Sequence, residues 1–219
     1  MTQAPSSSLD GLQDIDDQEG EGDQNGSGLP TMNLTIPERS LVVLIGPSGS
    51  GKSTFAAKHF LPTEVISSDF CRALVSDDEN DMAATEAAFR VLHSIVGERL
   101  RSGRIAVVDA TSVKARSRQS LVALGRNHDC LAVAIVFDLP EKLCIERNRG
   151  RANRNLPPGV IHRQRDQMKR SLRGLQREGF RYVYVLDSPA AVGVTTIVRQ
   201  PLWASRSDHG PADIIDRAL

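Results

Sequence analysis

Aromatic side chains are scarce: six Phe, two Tyr and one Trp in 219 residues. That argues against a surface that reads long runs of bases by stacking. Lysine is scarcer still, with Lys52, Lys58, Lys114, Lys142 and Lys169 alone among the 27 basic residues. The three cysteines, Cys71, Cys130 and Cys144, form neither a CxxC pair nor an even framework, which excludes a disulfide scaffold or zinc ribbon and fits a reducing, cytoplasmic compartment. Cys71 reads as a buried thiol, with a reactive thiol as the alternative. No apolar run approaches the roughly 20 residues that span a bilayer. The N-terminus is acidic without an apolar core, so neither a signal peptide nor a membrane partner is expected.

Formal net charge is zero, but charge is unevenly placed. Seven of the 27 acidic residues lie in residues 1–30, which hold no Lys or Arg, so the remainder carries 20 acids against 27 bases. Residues 1–31, rich in Ser, Gly, Gln and acids, bury too little apolar surface to offset the entropy of ordering and are expected to form a disordered acidic tail. A basic body suits a polyanionic partner.

What is present is organised around LVVLIGPSGSGKST, residues 41–54. An apolar run, Leu41 to Ile45, predicts a buried strand. It breaks at Gly46-Pro47-Ser48-Gly49-Ser50-Gly51 and restarts with Lys52-Ser53-Thr54 at the head of a helix. This is the G-x-x-x-x-G-K-[ST] pattern in the strand–loop–helix context it requires. Glycines let the backbone curl until successive N–H groups face inward, and with the helix N-terminus they form a cradle for phosphate oxygens. Lys52 is expected to reach the β- and γ-phosphates of a nucleoside triphosphate, and the Ser53 hydroxyl to bind Mg²⁺.

Strands and helices alternate along the rest of the chain. Met32 to Ile36 predicts a short strand, residues 63–69 a strand with a polar end, residues 104–109 and 131–137 apolar strands, and Tyr182 to Leu186 a last strand. Helices are expected from Lys52 to near Phe60, over 83–102 with Ala87, Val91, Ile95 and Leu100 at helical spacing, over 114–127, from Pro140, and over 158–177. Residues 75–81 form an acidic loop. Such alternation implies an α/β fold with a parallel sheet covered on both faces, and ligands gather at the carboxyl ends of its strands. Gly46, Asp69 and Asp109 fall there.

A kinase needs a carboxylate to take the acceptor's proton and cations where charge spreads on the transferred phosphoryl group. Asp69 and Arg72, one helical turn apart, can supply both; equally, Asp69 would serve as a helix cap with Arg72 its surface ion pair. Asp109, ending an apolar strand, suits the Mg²⁺-associated acid of P-loop enzymes, or a polar strand end and cap. Arg147, Arg151 and Arg154 fall at i, i+4 and i+7, one helix face, which predicts an Arg-rich lid over a triphosphate rather than a solvated charged face. Eleven Lys and Arg between 147 and 181 face only Asp166 and Glu178, a run suited to a nucleic-acid backbone or simply to a solvated helix.

The runs GPSGSGKSTFAAKHF, PTEVISSDFCRALVSDDEND, VVDAT, LPEKLCIERNRGR and GLQREGFRYVYVL together resemble the 5′-kinase module of bacterial polynucleotide kinase–phosphatase, an RNA-repair enzyme. The resemblance covers residues 32–203. It implies a three-layer, adenylate-kinase-like P-loop fold and transfer of the γ-phosphate of ATP or another NTP, with a divalent metal, to 5′-OH ends of RNA or DNA. It implies that Lys52 and Ser53 hold phosphates and Mg²⁺, that Asp69 is the general base, and that Arg72 contacts the scissile phosphate or the acceptor end. Arg147 and Arg151 become lid arginines on the NTP. Residues 204–219 resemble the lead-in to the family's phosphatase domain, but give Asp216-Arg217-Ala218-Leu219 where its metal-binding Asp-x-His would stand. Separate phosphatase and ligase repair proteins are therefore expected partners. A small-molecule kinase of the gluconate type, or a non-catalytic ATP- and nucleic-acid-binding module, would share the P-loop.

Overall fold

The computed structural model describes residues 31–151 and 156–201. The expectations for residues 1–30, Arg154 and residues 204–219 fall outside them.

The strand called from Leu41 to Ile45 is β2, Ser40–Ile45, and every residue of it is buried. It lies at the centre of a five-stranded parallel sheet. Its neighbours are β4 (Ala106–Asp109) and β5 (Leu131–Phe137), with β3 (Val65–Ser67) and β6 (Tyr182–Leu186) at the edges, in the order β3-β4-β2-β5-β6. Alternation decides which layer each side chain meets. Leu41, Val43 and Ile45 of β2 face one core with Val108, Ala132 and Ala134, while Val42 and Leu44 face the other with Val107, Val133 and Phe137. A central parallel strand must be apolar on both sides because helices cover both.

Helix α1, Lys52–His59, sends Phe55 and Ala56 into the second core. Helices α2 (Ser68–Ser76), α3 (Thr85–Arg101) and α4 (Ala115–Asn127) follow in turn, and α2, α3 and α4 add residues to the first core. The inward stripe of α3 is Ala88, Leu92, Val96 and Leu100, so the expected stripe is shifted by one residue at three of its four positions, and Ile95 is exposed. Gly103, at φ 69°, ends that helix as expected. After β5 come α5 (Glu141–Arg149), α6 (Pro158–Ser171) and a four-residue α7 (Leu175–Glu178). The expected single helix over 158–177 is thus broken by a 3-10 turn, Leu172–Gly174, although Ile161, Met168 and Leu175 are buried.

Two elements depart further from expectation. The strand Met32–Pro37 (β1) does not join the main sheet but pairs in parallel with Thr195–Gln200 (β7), which follows a short helix, Pro189–Val194 (α8). This ribbon presents Leu34 and Ile36 to the second core, and Arg199 fixes it through a bidentate pair with buried Glu64 at 2.8 and 2.6 Å. Strand β7 lacks the apolar run that marks the central strands, and its half-polar pattern answers to an outer ribbon. Helix α5 ends at Arg149, with Gly150 as its C-cap. Arg147 and Arg151 therefore do not share one helix face: Arg151 lies beyond the helix.

Arg118 of α4 is fully buried and forked onto Glu178 of α7 at 2.7 and 2.6 Å. Truncating one partner of such a pair strands the other's charge and costs about 3–5 kcal/mol. Arg118→Ala is expected to lose about that much in urea denaturation, whereas Arg90→Ala, at a surface pair with Glu86, should lose less than about 0.5 kcal/mol.

Candidate active site

The phosphate-type loop occupies the point where the strand order reverses, between β2 and its neighbours β4 and β5. Its shape depends on two left-handed glycines, Gly49 at φ 80° and Gly51 at φ 90°. A Cβ on Gly49 would sit 2.1 Å from the Cys144 carbonyl oxygen, so the backbone of α5 closes directly on the loop. Gly51 is the N-cap of α1, and Phe55 N–H donates to its carbonyl at 2.9 Å. Gly46 N–H donates to Thr111 O at 3.0 Å, which ties the first loop glycine to the segment after β4. Ser48 and Ser50 are buried, and Ser50 N–H turns back onto Pro47 O at 3.2 Å. Ser53 and Thr54 stand exposed in the first turn of α1.

Lys52 is 7% exposed. Its ammonium donates to the carbonyls of Gly46 at 2.9 Å and Pro47 at 2.8 Å and to the Ser50 hydroxyl at 3.3 Å. Burial pushes its pKa down to about 8, against the opposing pull of Asp109 and, more weakly, Asp69. The positive charge of Arg151 pushes it the same way as burial. Two carboxylates and a second cation, from α2, the end of β4 and the segment after α5, therefore act on one amine.

Asp69 lies in the first turn of α2, but Ser67 is the cap: its hydroxyl accepts from the Asp69 and Phe70 N–H groups at 3.2 and 3.3 Å. The side chain of Asp69 is thus not spent as a cap. Arg72, 3% exposed, donates to Asp69 Oδ1 at 2.8 Å and to Glu79 O at 2.6 Å. The reading of Arg72 as a surface partner is corrected by that burial. Its Nε is buried and finds no acceptor among the described residues. Asp109, 9% exposed, ends β4 in register with Leu44 of β2 and Ser67 of β3. Arg147 is exposed at the end of α5, and a Cβ on Gly51 would lie 3.4 Å from its Nη1. The structure thus gathers Lys52, Asp69, Asp109, Arg147 and Arg151 around the loop and joins Arg72 to Asp69.

Three further residues escaped the sequence. Gln164 of α6 accepts the Ser48 N–H at 2.8 Å across 116 positions. Buried Asn148 donates to Leu156 O at 2.9 Å and so brackets the segment that carries Arg151. Arg118 donates to Ser112 O at 2.9 Å beside the Asp109 strand end. None has a local pattern that would announce it. Cys71 is fully buried and burial pushes its thiol up, as for Cys144. No group of three His, Cys, Asp or Glu that would hold a metal ion occurs among the described residues. A lone hydroxyl at Ser53 and carboxylate at Asp109 instead suit Mg²⁺ that shares its ligands with phosphates.

A family model described as AAA domain (AAA_33) matches residues 41–175, more than half of the chain. The chain belongs to that family and has its kinase-type P-loop fold, which implies nucleotide binding. Its structure is similar to a chain of the Pnkp1/Rnl/Hen1 RNA repair complex, with TM-score 0.54 and 23% identity over 68% of this chain and 47% of that one. This chain therefore spans about half the length of that neighbour. It is also similar to a provisionally assigned kinase from Chloroflexus aurantiacus J-10-fl, with TM-score 0.51 and 16% identity over 69% and 86% of the two chains. A gluconokinase from Sinorhizobium meliloti aligns with TM-score 0.45 and 19% identity over 72% and 87%. No curated protein matches at a significant level.

Gly49→Ala combines a left-handed backbone with a contact against the Cys144 main chain. It is expected to push α5 off the loop, costing about 1–3 kcal/mol in strain and lowering ATP affinity at least about tenfold, measured by calorimetric titration beside thermal melting.

Proposed function

We propose that this chain transfers the γ-phosphate of ATP or another NTP, with Mg²⁺, to the 5′-hydroxyl of an RNA or DNA strand, in nucleic-acid repair. The observation that carries the reading is the Arg72–Asp69 pair at 2.8 Å, held by buried Arg72 and the Ser67 cap, at the same carboxyl end of the parallel sheet as Lys52. A protein that only bound ATP would need no such carboxylate there. The pair lies in ISSDFCRALVSDDEND, a stretch that resembles the polynucleotide kinase module and is not a generic P-loop feature.

In this reading the loop from Gly46 to Thr54 cradles the triphosphate, with Ser48, Gly49, Ser50 and Gly51 shaping it and Lys52 supplying charge to the β- and γ-phosphates. Ser53 and Asp109 hold Mg²⁺, which neutralises charge on the phosphates when bound. Asp69 takes the proton of the 5′-hydroxyl as its oxygen bonds to the γ-phosphorus. The bond from that phosphorus to the bridging oxygen breaks, and ADP leaves with the electron pair. Arg72 steadies Asp69 and offers its remaining N–H groups to the transferred phosphoryl group or the acceptor end. Arg147 and Arg151 close on the phosphates, where an arginine can contribute about 10³–10⁵ in rate.

The acceptor is proposed to be long and anionic. Arg163, Arg170, Arg173 and Arg177 are exposed and form no carboxylate pair among the described residues. Arg165 and Lys169, by contrast, lie 3.9 and 4.0 Å from Glu141 and Asp138, so only part of the basic run is open to a phosphate backbone. Phosphatase and ligase repair proteins are the proposed partners, in keeping with the RNA repair complex that holds a chain of similar fold.

Incubation with γ-labelled ATP–Mg²⁺ is expected to label a short RNA bearing a 5′-OH and to leave a 5′-phosphorylated RNA unlabelled. Asp69→Ala should lower the rate by about 10²–10⁴. The KM for a long oligonucleotide should rise steeply with salt. Transfer to a sugar such as gluconate, with none to any oligonucleotide, would overturn the polynucleotide reading.

A further inference from the structure

The buried Arg118–Glu178 pair does more than join two helices. Three donors of one guanidinium are used: Nε and Nη2 on Glu178 at 2.7 and 2.6 Å, and Nη1 on the Ser112 carbonyl at 2.9 Å. Ser112 sits three residues after Asp109 and is buried in the left-handed region, at φ 47°, where a residue with a Cβ is strained. The neighbouring carbonyl, Thr111 O, is taken by the N–H of Gly46, the first glycine of the phosphate loop. Consecutive carbonyls after β4 are therefore held by two different elements, one by α4 and one by the loop. Ala110 and Val113 are buried on either side and give the segment little room to shift.

We propose that Arg118 is a positioning residue for the metal side of the site. Held by Glu178, it pins the strained Ser112 turn and so sets where Asp109 presents its carboxylate to the Mg²⁺ that travels with the nucleotide. This rests on the proposed role of Asp109. A pair kept only for stability has no need of the third bond, which runs to the turn and not to another helix carbonyl. Arg118 is fully buried and the Glu178 side chain only 10% exposed, so water has little access to the pair. Outer groups that orient metal ligands typically govern affinity by about 10–100-fold.

The test uses Mn²⁺ in place of Mg²⁺, with ADP as the nucleotide, and reads bound Mn²⁺ by electron paramagnetic resonance. The full chain is compared with Arg118→Met/Glu178→Met, which removes both charges together and so leaves neither stranded. Mn²⁺ affinity is expected to fall at least about tenfold, while ADP affinity in EDTA stays within about twofold and melting temperature is maintained. Amide exchange over residues 109–113 should quicken in the same variant. Arg118→Lys, which keeps the charge but cannot bridge Glu178 and Ser112 with a fork, should show a smaller loss in the same direction and serves if the double variant does not fold. Wild-type Mn²⁺ affinity in the folded variants, with Asp109→Asn still impaired, would overturn the role of Arg118 alone. Unimpaired Mn²⁺ binding by Asp109→Asn would overturn the Asp109 reading and this inference with it.

Discussion

One ammonium sets the terms for the rest of this molecule. Lys52 is buried at the head of α1, and no carboxylate lies within ion-pair distance among the described residues. It is satisfied by two backbone carbonyls and one hydroxyl of its own loop. Burying a cation in such a setting favours its neutral form, which is why its pKa falls to about 8. Dipolar oxygens offset that cost only in part; an anion would offset it better. The arrangement suits a phosphate, and the surrounding elements hold the loop in place.

Holding it requires close approach. Loop curvature comes from Gly49 and Gly51, and α5 packs so tightly on Gly49 that no side chain fits between them. Gly46 is tied to the segment after β4, and Ser48 to Gln164 on α6. Each tie reaches the loop from a different strand or helix, so the parallel sheet works as a frame that converts ordinary packing into placement of a few polar atoms. Around that frame the charged groups divide by position. Asp69 and Arg72 stand on the α2 side, Asp109 at the end of β4, and Arg147 and Arg151 on the far side of the loop. A phosphate in the loop would meet the Asp69–Arg72 pair on one flank and the Arg147 and Arg151 guanidiniums on the other.

The central sheet and the loop were legible because their signals are local. Leu41 to Ile45 and Leu131 to Phe137 are apolar without interruption, and GPSGSGKST can build little else. Strand ends and arginine spacing single out Asp69, Asp109, Arg147 and Arg151, and the structure brings Asp69, Asp109 and Arg151 toward Lys52 and Arg147 beside Gly51. The two arginines do not share a helix face, however, since Gly150 ends α5 before Arg151. The α3 stripe was misread because apolar residues occupy adjacent positions there, Val91-Leu92 and Ile95-Val96, and only packing against the sheet selects Leu92 and Val96. The β1–β7 ribbon, the Gln164 contact and the Arg118–Glu178 pair join residues 60 to 163 positions apart. Such contacts leave no trace in periodicity, because nothing near either partner in the chain is altered by them.

The most direct check on this account is the titration of Lys52 itself. In ¹⁵N-lysine-labelled protein, assigned with Lys52→Arg, the Nζ resonance should titrate with a midpoint near 8 in the absence of nucleotide. Adding ATP–Mg²⁺ should raise that midpoint by at least about one unit, because phosphate oxygens favour the ammonium. A midpoint at the ordinary value of 10.5 without nucleotide, or one that ATP–Mg²⁺ leaves unmoved, would contradict the claim that the fold holds a buried cation ready for phosphate.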